Sequence, residues 1–515
     1  MARASGYACD QLGLAAGLWV AVGSFSLGAQ PATADGCSGG TESDFNGDGI
    51  RDIAVADPLA TVDGQAEAGL VRVVLGGGKG VSELSQALSG MSAEPEAGDK
   101  FGYSIAAYDA DQDGCTDLAV GVPYEDLTSA DESQIDAGAV YVIHGTPSGI
   151  GAGSPVDGYA QTTLDDTAAV EAGDLFGLAL AAGDTSGGDA FLTIGVPGQD
   201  VGSAQDAGAI HYMRGASRAT VHEGAPGVPG VAEAHDRFGY ALAATSSYIA
   251  VGSPGEAVGG KSFAGGVTLF QHAFSDGRPT ALGALDEDRD DLVSGVAEAG
   301  DRFGTALSMI PYRSSDAMDE TDALLAVGAP NEDVGDAADA GAVTVVRIEP
   351  SGAVSEANLV DRLAAGVEGE PAASAFFGQR VALADTSSEG ASTASTVKLA
   401  VSVPNQQVGA AQYAGAVHVL PGVGAPGSGD RILTRGDGVL PDAAEARDFT
   451  GMGLWATSTD LYVGVPHSKT AGASKGVVYV APWSLIGGGT GTVRTLKPGA
   501  DGIPDEGKGF GSVIR

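Results

Sequence analysis

The chain has 515 residues and a formal charge of −41, from 26 basic and 67 acidic side chains. That balance excludes the electrostatic attraction that nucleic acid or an anionic membrane requires, and it makes cations or basic partners the natural counterparts. The 82 glycines beside only 6% aromatic residues suit many short strands joined by tight turns, and 43% hydrophobic residues in short runs supply a core that a disordered chain lacks.

The first element is a leader. Arg3 is followed by a mostly apolar stretch, Leu12 to Ala29, and by the small residues "ATA" at Ala32 to Ala34. This reads as an export signal over 1–34, cleaved after Ala34. A transmembrane anchor is the alternative, but glycines and serines interrupt the stretch. No second apolar run of membrane length follows, so the mature chain, 35–515, is expected to be secreted, with no membrane insertion after signal removal. Cys9 leaves with the leader, and Cys37 and Cys115 remain as an even pair in an oxidising compartment. "GCSGG" at Gly36 to Gly40 matches G-x-S-x-G, but no strand leads into it, so Ser38 is not read as a nucleophile.

Next comes "DFNGDGIRD", which crowds Asp44, Asp48 and Asp52 into nine residues. Its oxygen-bearing side chains Asp44, Asn46 and Asp48 fall at positions 1, 3 and 5, with Gly49 at position 6 and Asp52 at position 9. "DADQDGCTD" repeats the spacing with Asp109, Asp111, Asp113, Gly114 and Asp117. Alternate residues of a tightly curled loop can turn their oxygens inward, and the glycine permits the bend that brings position 9 around. The backbone carbonyls of Ile50 and Cys115 at position 7 would complete the set that Ca²⁺ accepts. Hard oxygen donors without nearby His or thiolate favour Ca²⁺ over zinc or copper, with Mg²⁺ second. Position 12 is Val55 or Val120 rather than Glu, so these are not EF-hands. The alternative is an Asp/Asn/Gly turn whose carboxylates only cap backbone amides. Two calcium sites are expected, because the other repeats lack an in-register loop.

From Pro58 onward the chain repeats. A short strand ending in proline occurs seven times, at Pro58, Pro123, Pro197, Pro254, Pro330, Pro404 and Pro466. A second strand follows each, as in "AGAVYVIHG", and most are preceded by a third element, as in "FGYSIAAY" at Phe101. The element from Phe449, "FTGMGLWAT", is irregular. A weaker fourth run, such as "SELSQAL", closes each unit. "FGSVIR", Phe510 to Arg515, ends the chain, while the first proline-terminated strand has no such element ahead of it. Seven openings balance seven proline strands only if the C-terminal strand completes the N-terminal unit. The expected fold class is therefore all-β: a seven-bladed β-propeller of four-stranded antiparallel blades, its ring closed by the C-terminal strand completing the first blade.

The paired "FG" and "GAP"-like signatures with interposed "DxNxDGxxD" resemble FG-GAP repeats, the units of the integrin α-subunit propeller, found also in glycosylphosphatidylinositol-specific phospholipase D and in secreted bacterial proteins. The resemblance covers Cys37 to Arg515. It implies Ca²⁺ in loops of this pattern and ligand engagement by loops on one rim, while leaving the task of the propeller open.

In a four-stranded meander both calcium loops fall on one rim, in neighbouring blades, together with Cys37 and Cys115. A disulfide between these cysteines would staple the N-terminus to the next blade; two free thiols are the alternative. The opposite rim carries repeated acids, among them Glu125, Asp126, Glu332 and Asp333, read as a solvated rim or as a surface for a basic or calcium-bridged ligand. His144, His211 and His418 lie on the recurring second strands and are expected to be packed or solvated. No catalytic residue is assigned. The expected function is a monomeric binding or adhesion module for an extracellular protein, peptide or glycan; the alternative is an extracellular, phospholipase- or esterase-like hydrolase with its site on the propeller.

Overall fold

Each proline-terminated run forms the second strand of a four-stranded antiparallel sheet, and seven such sheets occur. The computed structural model describes residues 36–129, 132–165, 170–289, 293–314, 322–387 and 390–515. The expected leader, 1–34, with Cys9, lies outside the described residues, and Gly36–Arg515 form one compact unit.

Blade 1 contains Ile53–Asp57, Leu70–Leu75 and Gly80–Leu84, and blade 2 contains Ser104–Tyr108, Asp117–Val122, Ala139–Ile143 and Val156–Tyr159. Blades 3 to 6 open with the inner strands Leu180–Asp184, Ala241–Ala244, Ala306–Tyr312 and Val381–Asp385, and blade 7 opens with Gly453–Ala456. Strand order follows chain order in blades 2 to 7, so each is a simple meander.

The second strands are buried along all or nearly all of their length, as in the fully buried Asp117–Val122 and Tyr248–Ser253. A neighbouring blade covers each face, so both alternating sets of side chains must be apolar, which produces runs such as "LAVGV" instead of a polar–apolar alternation. The phenylalanines of the FG elements, Phe101, Phe176, Phe238, Phe303, Phe377 and Phe510, are fully buried. In the irregular repeat Thr450 occupies this place. It bridges to Gly415 as Phe303 does to Gly265, and Phe449 is displaced by one residue.

Neighbouring blades approach so closely that some positions tolerate no side chain. A Cβ on Gly121 of blade 2 would overlap the carbonyl of Gly177, in the turn leading to blade 3, and Gly195 and Gly239 stand in the same relation one junction on. The glycine of the "AVG-P" run is thus a packing requirement of the ring.

Closure follows the predicted route. Val513–Ile514 completes the first sheet, pairing Val55 with Ile514 and Ala56 with Val513. Ala54 and Arg515 exchange backbone hydrogen bonds, and the carboxylate of Asp57 accepts from the amides of Lys508 and Gly509 at 2.9 and 2.8 Å. Inner strands of successive blades adjoin around the whole circle, the last of them against Ser104–Tyr108. They enclose a central channel of about 690 Å³ whose lining includes the small residues Ala106, Ala181, Ala243 and Ala382.

Candidate metal centre at the ring seam

The two acidic loops adopt one hydrogen-bonding pattern, residue for residue. In the first, Asp44 Oδ1 accepts from the amide of Asp48 at 3.1 Å, Asp44 Oδ2 from Gly49 at 2.7 Å, and Asp48 Oδ1 from Ile50 at 2.8 Å. In the second, Asp109 accepts from Asp113 at 3.1 Å and from Gly114 at 2.9 Å, while Asp113 accepts from Cys115 at 2.8 Å. Asn46 and Asp111 occupy the same place, each accepting from the position 5 amide at 3.2 Å. Gly49 and Gly114 have φ of 81° and 91°, the left-handed conformation that the bend requires.

Position 9 is the buried anchor. Asp52 accepts from the amides of Phe45 at 2.9 Å and Gly76 at 2.6 Å, and Asp117 accepts from Ala110 and Gly145, both at 2.8 Å. Each therefore ties its loop to the end of the blade's third strand through charge-assisted bonds. Burial lifts the Asp52 carboxyl to about 6, against the pull of those two amides; burial also raises Asp109. Ligand oxygens of Asp109, Asp111 and Asp113 lie within 4.8 Å of one another, so the donor set and its spacing suit a hard cation.

The loops touch each other. The backbone of Asp44 accepts from the Thr116 amide at 2.9 Å and donates to the Thr116 hydroxyl at 3.0 Å. Cys37 and Cys115 are disulfide-bonded, with Cα atoms 5.0 Å apart. The segment beginning at Cys37 lies across both loops: Ser38 donates to the Gly47 carbonyl, and a Cβ on Gly47 would collide with Cys37.

Two basic side chains that sequence reasoning did not assign complete the seam. Lys79 Nζ reaches Asp48 Oδ2 at 2.5 Å and, by that hydrogen bond, holds the Asp48 carboxyl below its usual range. His144 Nδ1 lies 3.1 Å from Asp117 and 3.6 Å from Asp111, with Nε2 3.1 Å from Asp157. Its hydrogen bond to Asp117, then Asp157, pushes it up to about 9. The expectation of loops without a nearby His is therefore corrected, because the third strand of blade 2 ends beside the loop. In each case the partner is remote in sequence and the meander supplies the contact.

The opposite rim also differs from its sequence reading. Glu125 is buried and Glu332 half-buried, both turned into blade junctions, while Asp126 and Asp333 are exposed. The exposed pair cap their own loops, accepting from the amides of Asp136 and Asp339 at 2.9 Å. Residues of the loop around Asp131 lie outside the described residues.

Among the described residues the histidine hydrogen bonds run to Asp, Thr, Tyr and Arg side chains and to backbone carbonyls, none to a serine. His211 faces Thr220 at 3.3 Å, but Thr220 donates to Asp165 at 2.9 Å. The acid is thus on the hydroxyl rather than behind the imidazole, which is the wrong order for a nucleophile–base relay. Burial lowers His211 to about 4.

Comparison with known proteins agrees with the repeats seen in the structure. The FG-GAP repeat model matches residues 101–143, the first three strands of blade 2. The chain is an FG-GAP β-propeller. Integrin alpha-5 of Xenopus laevis is 36% identical over 113 residues, 21% of this chain and 10% of that protein. Phosphatidylinositol-glycan-specific phospholipase D of Mus musculus is 32% identical over 118 residues, covering 22% and 14% respectively. Integrin alpha-10 of Homo sapiens is 36% identical over 109 residues, covering 21% and 8%. This FG-GAP propeller thus matches only about a seventh or less of each of these relatives. No helix among its described residues is long and apolar enough to cross a membrane.

Proposed function

We propose that this FG-GAP propeller is a secreted, calcium-binding recognition module for an extracellular protein, peptide or glycan. The observation that carries the reading is the pair of matching acidic loops docked against each other beside the ring closure. Asp44, Asn46, Asp48, Asp52 and the Ile50 carbonyl would hold one ion; Asp109, Asp111, Asp113, Asp117 and the Cys115 carbonyl would hold the second. A bound Ca²⁺ supplies positive charge that offsets the mutual repulsion of these carboxylates.

The chain's own residues do the remainder. Asp52 and Asp117 orient the loops through backbone amides, and the Cys37–Cys115 bond holds blades 1 and 2 together at the rim. The rim is thereby fixed before a partner arrives, which lowers the ordering cost of binding. The partial matches to integrins favour recognition, and the arrangement of His211, Thr220 and Asp165 speaks against a hydrolase.

The test is to expose the mature chain to arrays of extracellular-matrix proteins and glycans, in calcium and in chelator, and to assay ester and phospholipid hydrolysis in parallel. Saturable, calcium-dependent retention with no turnover is expected. Turnover abolished by Thr220→Val, without array binding, would overturn the reading in favour of an enzyme.

A further inference from the structure

A second set of acidic positions recurs at the blade junctions, away from the two loops. Three residues meet there: one two places beyond a blade's outer strand, one two places before the buried Phe or Thr that opens the next blade, and one two places after that blade's proline. The first of these positions changes its chemistry around the ring. It is Gln86 and Gln161 after blades 1 and 2, Glu223 and Glu287 after blades 3 and 4, and Arg362 and Arg435 after blades 5 and 6.

Where the residue is Gln or Arg, it supplies hydrogen-bond donors, and in three junctions these reach an acid. Gln86 Nε2 donates to Glu125 at 2.5 Å, Gln161 Nε2 to Asp174 at 2.5 Å, and Arg435 Nη1 to Asp448 at 2.5 Å. At the two remaining acidic junctions the donor is replaced by a third carboxyl. Glu223 meets Asp236 and Glu256, and Glu287 meets Asp301 and Glu332, with ligand oxygens in each triad within 4.8 Å of one another.

Glu287 is only 3% exposed and Glu223 only 6%. Their Oε2 atoms, and those of Glu256 and Glu332, are buried without a hydrogen-bond partner. Such orphaned carboxyl oxygens destabilise the fold unless they are neutralised or paired. The basic groups nearby are engaged elsewhere: Lys261 bonds the Ala297 carbonyl and approaches Asp288, and His235 pairs with Asp206. Ser253 adds a hydroxyl, 3.1 Å from Glu223 Oε1.

We infer that the blade 3–4 and blade 4–5 junctions are two further hard divalent-cation sites, formed by Glu223, Asp236 and Glu256 and by Glu287, Asp301 and Glu332. A cation there would take the place of the donors that Gln86, Gln161 and Arg435 supply at the other acidic junctions. It neutralises the acids and links the outer strand of one blade to the next blade. A shared proton is the competing occupant.

The test is the stoichiometry of Ca²⁺ bound to the full mature chain, by equilibrium dialysis at neutral pH. In an Asp48→Ala Asp113→Ala background, which disables the two loops, one ion per triad is expected to remain. Adding Glu223→Gln and Glu287→Gln, residues native to the same position elsewhere in the ring, should remove both. Gln86→Glu, which completes a triad with Asp99 and Glu125, should add one, a gain that misfolding cannot produce. No retained calcium in the loop-disabled chain, or Glu→Gln changes that leave the count unaltered while raising thermal stability, would overturn the inference and assign the triads to protons. The loops are read separately, from the difference between the wild type and the loop-disabled chain.

Discussion

Phe510→Ala should destabilise the protein as much as the same change in the middle of the ring. Phe510 is fully buried among Val55, Tyr462 and Val478, with the Arg72 guanidinium 6.0 Å from its ring centre. Phe303 is equally buried and holds the corresponding place between blades 4 and 5. Removing a buried phenylalanine side chain costs about 3–5 kcal/mol. For about 480 folded residues, an unfolding entropy of about 2.1 cal/mol/K per residue gives about 1 kcal/mol/K, so each variant should lower Tm by about 3–5 °C. Scanning calorimetry of wild type, Phe510→Ala and Phe303→Ala measures both. If the seam between blades 7 and 1 were open, the end of the chain would be dispensable. A Phe510→Ala protein melting with wild type, while Phe303→Ala melts early, would refute closure through Val513–Ile514.

Three further outcomes follow. His272 is buried, accepts from the Tyr212 hydroxyl at 2.8 Å and donates to the Thr245 carbonyl at 2.9 Å, and burial lowers it to about 4 from 6.5. The unfolded chain therefore takes up the proton first, and the stability is complete above pH 6.5 and lost as pH falls toward 4, by at most about 3 kcal/mol. Urea midpoints of wild type and His272→Gln at pH 7 and 4.5 check this, and an equal difference at both pH values would contradict it. Replacing Cys37 and Cys115 together by Ala should cost about 2–5 kcal/mol in urea unfolding, since the bond closes a sequence separation of 78 residues; an unchanged midpoint would contradict that role. Lys79→Met should tighten calcium at the first loop, because the ammonium now paired with Asp48 competes for the same oxygen. Weaker binding in calorimetry would show instead that Lys79 organises the loop.

The strands were legible because ring packing restricts composition so strongly. A second strand covered on both faces must be mainly apolar in both alternating sets of side chains, Gly121 must be small to admit the Gly177 carbonyl, and Phe176 must fill the gap between blades. The acidic loops were legible because the hydrogen bonds that curl them are local, from positions 1, 3 and 5 to amides inside the same loop. Lys79 and His144 were not, since each lies roughly 30 residues from its acid and reaches it only through the meander. Glu125 and Glu332 were assigned to the rim because a pattern of charges shows that a loop is acidic but not which way its side chains turn. The replacement of Gln by Glu and then Arg at the junctions became visible only when the outer strand ends were known. Even Thr450 in the place of a phenylalanine needed its bridge to Gly415 to be recognised.

Titration calorimetry of calcium into chelator-treated mature chain, comparing wild type with Asp48→Ala Asp113→Ala, tests the two-loop account most directly. Saturable binding with Kd of about 10⁻⁴ to 10⁻³ M, as in extracellular modules, of which the double variant loses the equivalent of two ions per chain, is the predicted result. No saturable heat, or the same heat from both proteins, would contradict it.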